Sequence, residues 1–194
     1  MRAATDSYER RRAARDAQLD AFDGRIIRGT PIVFEALSLD LGGFQERILP
    51  SAVDRTLREG LDVRALVDHD TSKIIGRTKA GTLSLRKERD GLSARIEPPN
   101  TSVARDLVES IGRGDISGMS FGFRVLDDDW HMEDGIPIRE ILDMVIREIS
   151  IVSFPAYEDT NVEIAKRSLE LFRQSSGWKP SIGFLERVAR AVKR

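Results

Sequence analysis

From Gly118 to Val125 the chain alternates with a period of two, and this stretch constrains the fold more than any other. Met119, Phe121, Phe123 and Val125 fall on one side of a pleated strand, with Ser117 extending that side. Ile116, Gly118, Ser120, Gly122 and Arg124 fall on the other. The first side is large and apolar and must lie on a core, so the rest of the chain has to supply that core. The second side carries a hydroxyl between two glycines. Bare backbone on either side of Ser120 lets another chain approach its Oγ closely, as attack on an extended peptide requires. Ser117 shares the core side, which makes Ser120 the better nucleophile candidate.

The same residues spell the G-x-S-x-G of a nucleophile elbow, but that motif needs a strand, a sharp turn and a helix. Here the alternation runs on through Phe123 and Val125, no helix pattern follows, and the chain order is wrong, because such a hydrolase places its His well after the acid. The elbow reading fails.

Other segments supply the partners this strand needs. Residues 26–34 are β-branched with Gly29 and Pro31, suiting an edge or a bulge. Ser51 predicts the N-cap of a short helix over Ala52–Glu59 that stops at Gly60. Val63–Val67 reads as a strand delivering Asp68-His69-Asp70 to its end, and short strands follow over 74–77, 82–86 and 92–96. Asn100 or Thr101 caps a helix with Ala104, Leu107, Val108 and Ile111 on one face. After Leu126 the composition predicts a polar, acidic loop from Asp127 to Gly135. Ile138–Phe154 predicts one bent strand or two, ended by Pro155-Ala156, and the pattern turns helical beyond Asn161. The result is many short strands with two or three helices.

Three regions are expected: a charged N-terminal arm over 1–24, mobile or helical; a main domain over 25–166; and a helical, basic tail over 167–194. Charged residues at 32% and hydrophobic residues at 40% describe a globular domain with a highly charged surface, expected in the cytosol. A formal charge of −1 gives no global attraction to nucleic acid or anionic lipid. No cysteine is present, so disulfides, thiol catalysis and cysteine-ligated zinc are excluded. No apolar run approaches the roughly 18 residues of a membrane span, and no cofactor or metal set is expected.

Only His69 and His131 can serve as a base near neutral pH. His69, at a strand end, is placed to lean over a sheet toward a nucleophile on a neighbouring strand. A serine also needs its base oriented by a third group. Glu148, an acid within the apolar run Arg147–Val152, and His131, in the acidic segment, lead; Asp143 is a third option. Plainer alternatives stand beside each reading: Ser120 as a small residue beneath a helix, His69 as a surface turn residue, Glu148 paired with Arg147 or Arg139.

Taken jointly, Arg28-Gly29-Thr30-Pro31, Val67-Asp68-His69-Asp70, Ile75-Gly76-Arg77, Ile116–Phe123 and Arg147–Ala156 resemble the HK97-type prohead protease family, itself similar in fold to the herpesvirus assemblins. The resemblance covers about residues 25–166. It implies an α+β fold with a mainly antiparallel, barrel-like core and two or three helices. It implies His69, Ser120 and Glu148 as catalytic residues. The implied substrates are the major capsid protein's scaffolding segment and the protease's own termini, inside the assembling prohead in the host cytoplasm. A homo-oligomer is compatible with it; no membrane or specific nucleic acid is implied. A non-catalytic capsid-assembly module retaining the fold is the competing class. A β-rich nucleic-acid binder fits poorly, given 6% aromatic residues and no basic stripe.

Overall fold

The computed structural model describes residues 8–12, 19, 21–22, 26–153 and 162–177. In chain order the strands and α-helices are β1 (Glu9–Arg12), β2 (Ala21–Phe22), β3 (Ile27–Val33), β4 (Gln45–Ile48), α1 (Asp54–Arg58), β5 (Arg64–Val67), β6 (Asp70–Arg77), β7 (Leu83–Lys87), β8 (Gly91–Ile96), α2 (Ser102–Gly112), β9 (Gly118–Glu133), β10 (Ile136–Val152) and α3 (Val162–Ser176). The fold is mixed α+β around a curled half-barrel sheet, as expected. That sheet runs β1-β9-β10-β5-β6, with β4 also on β10; a second runs β2-β3-β8-β7. Pairing is mainly antiparallel, but β4 and β5 both run parallel to β10.

One core joins the two sheets. Met119, Phe121 and Phe123 of β9 and Ile146, Ile149 and Ile151 of β10 meet Ile27, Ile32, Leu92 and Ile96 of the second sheet. The apolar side of β9 is therefore the core side, as its alternation requires. Phe121 and Phe123 stack within it, tilted by 32° at a centroid distance of 5.2 Å. β10 is the central strand, and from Glu148 to Val152 every residue is buried. Any polar side chain there must find a partner inside the protein.

Three local expectations change. The acidic segment after Leu126 is not a loop: β9 continues to Glu133, and the turn falls at Asp134 and Gly135, both in the left-handed region at φ 50° and 78°. Asp128 is held by Arg139 Nε at 2.7 Å, and Trp130 packs on Phe44 and Phe172. Partners far away in sequence thus turn a charged run into a strand. Ser51 does not cap a helix; Pro50–Val53 is a 3₁₀ turn leading into α1, and Ser51 Oγ bonds the Leu142 carbonyl. By contrast Thr101 Oγ1 does accept from the Ala104 amide and caps α2.

The third change is at the N-terminus. Instead of a mobile or helical arm, Glu9–Arg12 is a strand paired antiparallel with Phe123–Ser120 of β9. Glu9 and Arg11 are buried in an ion cluster with Glu46, Asp128 and Arg139. The basic stretch Phe184–Arg194 and the Pro155-Ala156 stop lie outside the described residues.

Phe121→Ala should destabilise the fold by about 3–5 kcal/mol, the usual cost of emptying a buried Phe site. Urea denaturation of the variant beside the wild type measures it; a loss below about 1 kcal/mol would mean that this side of β9 does not carry the core.

Candidate active site

The candidate site is built on the polar side of three adjacent strands. β5 and β6 are joined by Asp68 and His69, both left-handed at φ 48° and 58°. Such a two-residue turn closes a hairpin tightly, and non-glycine residues adopt it only where their surroundings over-determine it. Asp68 provides that restraint. Its amide donates to the Ile151 carbonyl at 2.9 Å, and its Oδ1 accepts from both the amide and the hydroxyl of Ser153. The turn is thereby tied to the end of β10, and His69 is held over the sheet.

His69 Nδ1 lies 2.6 Å from Glu148 Oε1. Facing a carboxylate, Nδ1 carries the proton, which leaves Nε2 as the basic nitrogen. Nε2 is buried with no hydrogen-bond partner among the described residues. Glu148, itself 5% exposed, takes two further bonds: Ser150 Oγ donates to Oε2 at 2.6 Å and the Tyr8 hydroxyl donates to Oε1 at 2.7 Å. Burial by itself would raise the Glu148 pKa. The hydrogen bond and charge of His69, then the bonds from Ser150 and Tyr8, outweigh that and hold it below its usual value. Tyr8 responds oppositely, its phenol pushed up by burial and by the Glu148 charge.

Ser120 is fully buried and stands directly opposite Ser150 in the β9–β10 ladder. Opposed residues share a side of the sheet, with Cβ atoms about 4.5–5.5 Å apart. Ser120 is thus on the same side as Glu148, and His69 contacts that side from β5. Its Oγ donates to the Arg11 carbonyl at 2.9 Å rather than to His69. Gly122 has a spatial role: a Cβ there would sit 2.6 Å from Glu148 Oε1 and closer still to the Tyr8 hydroxyl.

Of the acids and bases weighed from sequence, only Glu148 reaches His69. His131 lies out along the hairpin, opposite Ile138 and 3.6 Å from Glu133. Asp143 is occupied by Arg55 at 2.6 Å. Glu148 pairs with neither Arg147 nor Arg139; Arg139 belongs to the Glu9–Glu46–Asp128 cluster. Ser117 is exposed just ahead of β9 rather than in the core. Sequence reasoning missed Ser150, Tyr8 and the anchoring role of Asp68. Only Ser150 left a signal, two residues from Glu148 on the same side of an alternating strand.

A family model described as Caudovirus prohead serine protease matches residues 12–175. The chain belongs to that family. Prohead protease of Enterobacteria phage HK97 is 33% identical over 112 residues, 55% of this chain. The match spans about half of that relative's length, 48%. No solved structure matches. The matched range contains His69, Ser120 and Glu148, so the prohead protease relationship and the side-chain cluster fall on the same part of the chain.

Glu148→Gln replaces a charged acceptor of three hydrogen bonds by a neutral one and should cost about 1–3 kcal/mol at pH 7. A carboxylate whose pKa is lowered on folding stabilises above its unfolded value, near 4.5 here, and loses that contribution as pH falls through the lower folded value. The gap between wild type and variant in urea titrations should therefore narrow from pH 7 to pH 3. A gap that widens in acid would reverse the sign assigned to this group.

Proposed function

We propose that this chain is a serine endopeptidase of prohead maturation, with Ser120 as nucleophile, His69 as general base and Glu148 as the residue that orients and charges the base. The observation that carries the reading is the 2.6 Å contact between His69 Nδ1 and Glu148 Oε1, on the side of the sheet where Ser120 stands opposite Ser150. A carboxylate on Nδ1 fixes the tautomer in which Nε2 accepts a proton, and it stabilises the imidazolium once formed.

In the reaction, Ser120 Oγ leaves the Arg11 carbonyl, gives its proton to His69 Nε2 and adds to a peptide carbonyl carbon. The C–N bond breaks as His69 returns the proton to the leaving amine. Water, deprotonated by His69, adds to the acyl carbon; the ester C–Oγ bond then breaks and His69 returns that proton to Ser120 Oγ. Glu148 stays ionised throughout, which its lowered pKa favours. Family membership supports the capsid protein's scaffolding segment and the chain's own termini as substrates, cleaved inside the assembling shell. Proteolysis there is an irreversible step, suited to clearing space before DNA enters. Among the described residues no helix is long and apolar enough to cross a membrane.

Ser120→Ala should fold normally but lose processing of co-expressed capsid protein by about 10⁴–10⁶-fold. Ser150→Ala, which removes one hydrogen bond to a charged acceptor, should lose only roughly 10–100-fold. Fragment analysis by mass spectrometry reads both. Continued cleavage by Ser120→Ala, or a full loss confined to Ser150→Ala, would overturn the assignment of the nucleophile.

A further inference from the structure

The N-terminal strand meets the candidate site on one of its sides and a buried ion cluster on the other. Among the described residues β1 is an edge strand, and its one ladder partner there is the segment of β9 from Ser120 to Phe123. On one side, the Arg11 carbonyl accepts the Ser120 Oγ hydrogen and the Tyr8 hydroxyl bonds Glu148. On the other, Arg11 and Glu9 enter the buried ion cluster. Arg11 Nε donates to Glu46 Oε1 at 2.8 Å and its Nη2 to Glu9 Oε2 at 2.5 Å, while its guanidinium lies 5.6 Å from the Phe123 ring centroid. Arg139 Nη1 bridges Glu9 at 2.9 Å and Glu46 at 3.1 Å.

The Ser120 contact is unproductive as it stands. The hydroxyl points its hydrogen at a carbonyl oxygen, whereas attack needs its lone pair at a carbonyl carbon and its proton on His69. Glu148 likewise spends one oxygen on both Tyr8 and His69. A peptide cannot pair with β9 beside Ser120 while β1 is there.

We infer that Tyr8–Arg12 is a self-inhibitory strand, latched by Glu9 and Arg11, and that Glu46 selects a basic side chain at the Arg11 position in the peptide that displaces it. The chemistry behind the second half is charge. When β1 leaves, Glu46 loses Arg11 and keeps, among the described residues, only Arg139, beside the open face of Phe123. A buried carboxylate short of a cation, next to an aromatic face, fits Lys or Arg and opposes Asp or Glu. An extended peptide with a basic residue at that place restores what Arg11 supplied.

The inference rests on Ser120 being the nucleophile, so the test separates the two. Full-length Glu9→Ala/Arg11→Ala is treated with a fluorophosphonate probe, and adduct at Ser120 is followed by mass spectrometry. Labelling should be at least tenfold faster than in the wild type. A synthetic peptide of residues 6–14 should slow it again, and the same peptide carrying Arg11→Glu should not. Arg11→Met, which keeps the aliphatic stem over Phe123, supplies the comparison if the double variant does not fold. Equal labelling of wild type and variant overturns the inhibitory strand, and equal inhibition by both peptides overturns the role of Glu46. Absence of adduct in every folded protein instead overturns Ser120 as nucleophile.

Discussion

A carboxylate placed in the middle of a buried strand cannot be left alone, and Glu148 organises the site because of that. An unpaired anion at such depth would cost several kcal/mol. Satisfying it requires donors from three separate places: an imidazole from the β5–β6 turn, a hydroxyl two residues along β10, and a phenol from the N-terminal strand. Each donor carries its own structural requirement. The imidazole needs two left-handed residues tied down by Asp68, and the whole cluster needs a glycine at 122 to leave room. Taking away the acid would leave these features without a purpose.

The order of strands does the rest. β10 carries the acid and lies between β9, which carries Ser120, and β5, which leads into His69. Neighbouring strands are about 4.8 Å apart, so β9 and β5 lie about 10 Å apart with β10 between them, and Glu148 reaches the turn after β5 through its side chain. Groups held by a hydrogen-bonded ladder are positioned more rigidly than groups on loops. The parallel pairing of β5 with β10 matters here. Val67 pairs with Ile151, so the chain reaches the His69 turn level with the Ser150 end of β10 rather than at the far hairpin.

The legible part of this arrangement was local. Period-two alternation sorts Phe121 and Phe123 from Ser120 and Gly122 whatever the partners are, and Gly60 and Thr101 mark helix ends locally, one by a left-handed turn and the other by a side-chain cap. What could not be read depended on partners distant in sequence. Asp127–Asp129 looks like a solvated loop until Arg139 and the Trp130 packing are known. Glu9 and Arg11 look like solvated charges until Glu46 and Arg139 are placed against them. Both errors have one cause: composition marks charge as surface, and it is blind to a counter-charge arriving from elsewhere in the chain. The choice among Glu148, His131 and Asp143 turned on the same kind of fact, since each acid or base is distinguished only by what it meets.

The way β1 is held also bears on how firmly it is held. Its core-side residues are charged, and burial works against Arg11 and Arg139 alike; the carboxylates of Glu46 and Glu9 more than restore both guanidiniums, which stay protonated. Buried ion clusters of this kind return little net stability, because desolvation cancels most of the attraction, yet losing one partner leaves a buried charge uncompensated at a cost of about 3–5 kcal/mol. An apolar strand in the same place would adhere strongly and with little regard to sequence. A charged one gains a defined register and a modest hold. Those two properties suit a segment that must lie in one position and still give way to another peptide of matching charge.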